Sequence, residues 1–245
     1  MEILFNILNV IKYLIYALLI IAFLIFIFLN VSPVFGASPD KNTKEIIVNS
    51  ENFFEGKFRN IKTTYTNFRT LERKSTLKEW FFPPKDKNPL GPLPTIKFQG
   101  QDLTEGKFVW FGHSTLLMKT EGLVVITDPV FNRASPLPSF SSKSKSSFFN
   151  GKPFVFENPI LIEDLPKVDI VIISHDHYDH LDSKAIKDLS NLVDHFIVPL
   201  GVGAHLERWG VDKNKITELD WYESKSYKDI EFIFAPSLHF SGRGI

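Results

Sequence analysis

The sequence predicts an α/β domain, a β-sheet covered by helices, carried behind an apolar amino-terminal helix. Three observations predict it. Short uncharged runs of β-branched residues, such as Ile170-Val171-Ile172-Ile173, read as buried strands. Segments with apolar residues at helical spacing alternate with them. Ahead of both stands a run from Tyr13 to Leu29, 17 positions without a charge.

That run is apolar on every face, unlike a surface helix, and about twenty apolar residues cross a bilayer. Residues 1–31 therefore read as an uncleaved, single-pass membrane anchor. A cleaved signal peptide is the alternative, because Gly36 and Ala37 offer small residues near a cut. Lys12 precedes the span, and Lys41 and Lys44 follow it beside Asp40 and Glu45, so charge says little about sidedness. The signal-like start places the body of the protein outside the cytoplasm. Residues 32–95 read as a tether and an arm. Ser32 to Asn52 is polar with two prolines. Lys57 to Lys87 holds nine basic and three acidic residues interleaved with aromatics, expected to pack on the core with its charges solvated. Five prolines between Pro83 and Pro94 make a rigid connector.

Residues 96–245 form the compact domain. Phe108-Val109-Trp110-Phe111, Thr115-Leu116-Leu117-Met118 and Leu123-Val124-Val125-Ile126 read as three strands, the last two joined by a Glu121-Gly122 turn. Seven serines between Ser135 and Ser147 mark a flexible loop. After the strand ending at Ile173, a helix is expected from Ser183 to Val193, with Asp182 as N-cap. A strand at Phe196-Ile197-Val198, a helix from Gly201 to Trp209, and strands at Ile216 to Leu219 and Ile230 to Phe234 follow. The 28 basic and 28 acidic residues cancel, which argues against a nucleic-acid partner. With no cysteine, disulfides and thiolate metal sites are excluded.

The chemistry is concentrated in His175-Asp176-His177-Tyr178-Asp179-His180, directly behind a buried strand. His175 and His177 are two apart, so on extended backbone both rings face one side and can share an ion. Asp179 and His180 can face a second ion from a tight turn. Imidazole with carboxylate and no thiolate suits zinc, with iron or manganese open. Asp176 and Tyr178 alternate with these groups and are expected to point away. His195 and His205 lie outside any motif and read as surface residues.

His175-x-His177-x-Asp179-His180 resembles the signature of the metallo-β-lactamase superfamily. Trp110-Phe111-Gly112-His113-Ser114-Thr115, Thr127-Asp128-Pro129-Val130-Phe131, Arg133-Ala134-Ser135-Pro136 and Ala235 to Arg243 narrow the resemblance. They are similar to the branch containing N-acyl-phosphatidylethanolamine phospholipase D. The resemblance implies an αββα sandwich, of which this chain carries mainly the amino-terminal half. It also implies that His175, His177 and His239 hold one zinc ion, and Asp179 and His180 a second, Asp179 being the catalytic carboxylate as well. His113, Asp128, Arg133 and Arg243 become candidates for supporting the ligands or meeting substrate. The implied substrate is a phosphodiester, an N-acyl-phosphatidylethanolamine-like phospholipid, met at a membrane without a protein partner. A lactonase or other ester hydrolase of the same fold is the alternative. In the family an Asp bridging both ions and a later His follow the segment corresponding to His239, whereas this sequence stops at Ile245. The expectation is therefore of an incomplete second site with at most one tightly held ion, and of weak activity or an inactive, membrane-anchored remnant.

Overall fold

The computed structural model describes residues 1–62, 89–136 and 153–243. Most of the basic aromatic arm and of the serine-rich loop, and the first part of the proline connector, lie outside the described residues. The chain opens with helix α1 (Glu2–Val31), 30 residues long. Its apolar stretch Phe5–Val31 is about 40 Å long at 1.5 Å per residue, enough to cross a bilayer core.

The segment read as a tether is laid along the domain instead. It contains α2 (Lys41–Asn49), whose N-cap Asp40 accepts from the Thr43 N–H at 2.8 Å. The Trp209 indole donates to the Pro33 carbonyl at 2.7 Å, and the Ala37 N–H donates to His205 Nδ1 at 3.0 Å. Ser50 and Asn52 both donate to the Asp220 carboxylate. Composition marked this stretch as polar, but its partners lie more than 160 residues away and no local pattern announces them.

After a two-residue hairpin, β1 (Phe53–Phe54) and β2 (Lys57–Phe58), comes a six-stranded sheet ordered β3-β4-β5-β6-β7-β8. Its strands are β3 (Phe108–Gly112), β4 (Thr115–Thr120), β5 (Leu123–Thr127), β6 (Val168–Ile172), β7 (Val193–Pro199) and β8 (Ile216–Leu219). The first three pair antiparallel through tight turns; β5 through β8 pair in parallel. Helices α3 (Ser183–Leu189) and α4 (Gly203–Arg208) are the crossovers of the parallel half. The helix expected to reach Val193 stops at Leu189, because Val193 pairs with Val168 in the sheet.

Both faces of the sheet are packed. Leu117, Ile126, Val171 and Phe196 meet Ile186, Leu189 and Leu206 of the helices, all fully buried. Each such side chain contributes roughly 1.5–3 kcal/mol of apolar burial. On the other face Leu123, Val125, Ile170, Ile197 and Leu219 meet Tyr227, Ile230 and Phe232 of a hairpin. That hairpin joins β9 (Ser224–Tyr227) to β10 (Ile230–Ile233). Strand β9, Ser-Lys-Ser-Tyr, lacks the apolar alternation that reveals the others and was not expected.

Candidate metal centre

The hexapeptide sits where β6 runs out of the sheet, beside the end of parallel neighbour β5. Sites in open α/β sheets form outside the carboxyl ends of parallel strands, where loops leave a rigid frame. Ile173 is still buried, and then the chain turns: the His180 and Leu181 N–H groups both donate to the His177 carbonyl. Asp182 ends the loop and starts α3. Its carboxylate accepts from the Lys184 and Ala185 N–H groups and also from the N–H groups of Phe131 and Asn132. The segment after β5, including half-buried Arg133, is thereby pinned to the helix start.

Six ligand-competent residues gather there in two sets. His175, His177 and His239 bring one ring nitrogen each within 4.8 Å of one another. His113, Asp179 and His180 form a second set by the same measure. The reading of the sequence gave the second set two members; the structure adds His113 from the β3–β4 turn. Its Nε2 lies 3.1 Å from Asp179 Oδ2.

The hydrogen-bond network assigns the tautomers of two imidazoles. Asp128 is 5% exposed, and its carboxylate accepts from the Ser174 N–H and the Ser174 hydroxyl, both at 2.7 Å. A hydroxyl has one hydrogen, so toward His175 Nδ1, 2.9 Å away, Ser174 Oγ acts as acceptor and the ring nitrogen donates. His180 Nδ1 donates to Asp128 Oδ2 at 2.9 Å. In both rings Nε2 is left with its lone pair, as a ligating imidazole needs. His175 Nε2 is buried and has no hydrogen-bond partner among the described residues, and His177 Nδ1 faces His239 Nε2 at 3.2 Å. An orphaned buried nitrogen amid converging imidazoles fits a divalent ion of the zinc type.

Electrostatics agree. Burial, and then the neighbouring His180, His177 and His239 rings, push His175 down to about 4, so it is neutral at pH 7. Burial and His239 lower His177 as well. For His180 burial also pulls downward, but the hydrogen bond and charge of Asp128 outweigh it and raise the ring. Burial raises Asp179, yet bonding to its own backbone and the charges of His180, His113 and His177 bring it net below the usual carboxylate range.

Asp176 is buried at 7% exposure and does a job the sequence did not reveal. Its carboxylate accepts from the Ser241 hydroxyl and the Gly242 N–H, and its carbonyl accepts from Arg243 Nε at 2.8 Å. The carboxylate thus latches the segment that delivers His239. Gly242 is required by space: a Cβ there would stand 2.2 Å from His177 Nε2. Asp176 belongs to the hexapeptide, but alternation alone made it look outward-facing. Arg243, a candidate for phosphate attraction, is buried and occupied instead. Its guanidinium also donates to the Leu181 and Val34 carbonyls and lies over the Tyr178 and Trp209 rings. His205, expected at the surface, is packed against Trp209, and burial pushes it down to about 4. His195 is part-buried, with Nε2 2.8 Å from the Thr217 hydroxyl.

Residues 124–245 match the model of a beta-lactamase superfamily domain. An uncharacterized protein of Mycobacterium tuberculosis is 41% identical over 63% of this chain and 40% of its own length. N-acyl-phosphatidylethanolamine-hydrolyzing phospholipase D 1 of Caenorhabditis elegans is 34% identical over 66% of this chain and 47% of its own. The mitochondrial enzyme so named in Saccharomyces cerevisiae is 29% identical over 56% and 28%. The chain thus spans less than half the length of these relatives. Among solved structures, the diiron β-hydroxylase CmlA of Streptomyces venezuelae aligns at 25% identity and a TM-score of 0.37, over 50% of this chain and 22% of that one. With its signature loop at the end of a parallel strand and these relatives, the chain belongs to the metallo-β-lactamase superfamily, on the branch of the N-acyl-phosphatidylethanolamine-hydrolysing phospholipases D.

Proposed function

We propose that this chain is a metal-dependent phosphodiester hydrolase whose substrate is a membrane phospholipid of the N-acyl-phosphatidylethanolamine type. The family's chemistry is hydrolytic and calls for a divalent metal. The observation that carries the reading is the convergence of His175, His177 and His239, with the buried Nε2 of His175 left unpartnered. These three would hold the ion, and zinc suits an all-imidazole set. A bound divalent ion supplies an acidified water and a positive charge toward a phosphoryl oxygen.

The chain's own residues supply the rest. Ser174 and Asp128 hold the His175 and His180 rings in one tautomer, so neither has to reorganise when the ion arrives. Asp179 keeps an ionised carboxylate on the open side of the loop, where it can accept a proton from a reacting water or orient it. Helix α1 would anchor the domain at the bilayer, with the body of the protein outside the cytoplasm. The docking of residues 32–52 onto α4 and the end of β8 would keep the loop close to the lipid surface. The phospholipase relatives support the lipid class.

The test uses the full chain in detergent micelles with zinc. The expected result is release of the N-acylethanolamine headgroup from N-acyl-phosphatidylethanolamine, abolished by chelator and by His177→Ala. Turnover that survives His177→Ala would overturn the reading. Zinc-dependent hydrolysis of lactones with the phospholipid untouched would reassign the substrate.

A further inference from the structure

We infer that His113 is a metal ligand: with Asp179 and His180 it forms a second, separate three-residue site for a divalent ion. The resemblance assigned His113 only to ligand support or substrate contact, and counted the second set as incomplete.

Geometry makes the first argument. His113 Nε2 is 3.1 Å from Asp179 Oδ2, and His180 Nε2 is 4.0 Å from the same oxygen. The two rings meet edge to face with centroids 5.0 Å apart. Donors about 2.0–2.1 Å from a tetrahedral ion stand roughly 3.4 Å from one another. The three atoms are thus near the spacing an ion would impose, and a small rotation of His180 completes it.

The donor chemistry makes the second. His180 gives its Nδ1 hydrogen to Asp128, so its Nε2 points at the cluster as an acceptor. Asp179 is an anionic oxygen ligand, and His113 is the third group. Two imidazoles and a carboxylate on one side of an exposed opening are the ligand pattern of a metal site with a coordination position left for water.

The backbone makes the third. His113 has φ +46°, the left-handed region that side chains other than glycine adopt at a cost. Gly112 before it has φ +105°, and the β3–β4 register shifts between Trp110 and Gly112. The turn is held in this shape: the Trp110 indole donates to the His113 carbonyl at 2.9 Å, and Thr127 Oγ1 donates to the Ser114 carbonyl at 2.9 Å. Strain that persists because its surroundings enforce it marks places where a side chain must be aimed. Here it aims an imidazole at Asp179. A plain ion pair between His113 and Asp179 would give the same distance at 57% and 45% exposure, and would not need the strained turn.

This inference rests on the functional reading above for the kind of ion, and metal counting separates the two. The full chain in micelles is equilibrated with buffered zinc, dialysed, and analysed for metal. Two equivalents are expected for the unaltered chain, one for His113→Gly and one for His177→Ala. Glycine suits φ +46°, so metal-free His113→Gly should unfold at the same or a higher temperature than the parent. One equivalent in the parent, or two retained by His113→Gly, would overturn the second site while leaving the first intact. A lower metal-free unfolding temperature for His113→Gly would overturn it as well, showing a structural role. No zinc bound by the parent would overturn the functional reading too.

Discussion

The two ligand sets lie side by side but are held by different means. His175, His177 and His239 are joined across more than 60 residues, and the segment bearing His239 is latched through Asp176, which accepts from Ser241, Gly242 and Arg243. His113, Asp179 and His180 also span a long gap, but their support is Asp128, which fixes His180 and, through Ser174, the first turn of the loop. The first set depends on a chain segment with exposed Leu238 and Phe240 that is tied down by one buried carboxylate. The second is built on turns at the ends of β3, β5 and β6, inside the sheet's own hydrogen-bond frame. A set assembled by a latch can open while the sheet stays folded; a set at strand ends is as rigid as the sheet.

The sharpest break in that comparison is a crossed pair of substitutions. Asp176→Ala should weaken zinc binding at the His175, His177 and His239 set by about 10–100-fold and leave the other nearly unchanged. Asp128→Ala should weaken the His113, Asp179 and His180 set to a similar degree, with a smaller effect on the first through Ser174. Competition titration with a zinc chelator reads both. Equal loss at both sets in either variant would mean that the two are one cooperative unit.

Acid should loosen the latched side next. His205 lies beside Arg243, accepts the Ala37 N–H, and is held down to about 4 by burial. In the unfolded chain it titrates near the ordinary 6.5. Between those values the unfolded chain binds the extra proton, so stability falls as pH drops from about 6.5 toward 4 and levels off below. The loss is about 2 kcal/mol after allowance for partial exposure. Urea unfolding at pH 7 and pH 4.5 measures it, and His205→Gln should flatten that part of the profile. An unchanged slope would remove His205 from the explanation.

The smallest effect sharpens the latch itself. Ser241→Ala removes one of the two donors to the Asp176 carboxylate, worth about 1 kcal/mol. Zinc affinity of the first set should fall by roughly fivefold, with the second set untouched. A loss as large as that of Asp176→Ala would show that Ser241, and not the Gly242 N–H, carries the latch.

The sequence by itself determined the sheet strands with apolar cores, the membrane-length helix, the N-cap at Asp182 and the ligand loop. Each of these is written in local pattern: strand alternation, an uncharged run, a capping residue ahead of helical spacing, three imidazoles within six positions. Only the tertiary structure decided what meets what. Strand β9 has no apolar pattern and exists because β10 pairs with it. The polar stretch after α1 has order because His205, Trp209 and Asp220 receive it. Asp176 became a latch, Arg243 a packed cross-link in place of a phosphate contact, and His113 a member of the second set, through partners at least 60 residues distant in the chain. Buried polar groups must find partners, but which partner is fixed by the closing of the sheet, and no spacing in the sequence records that.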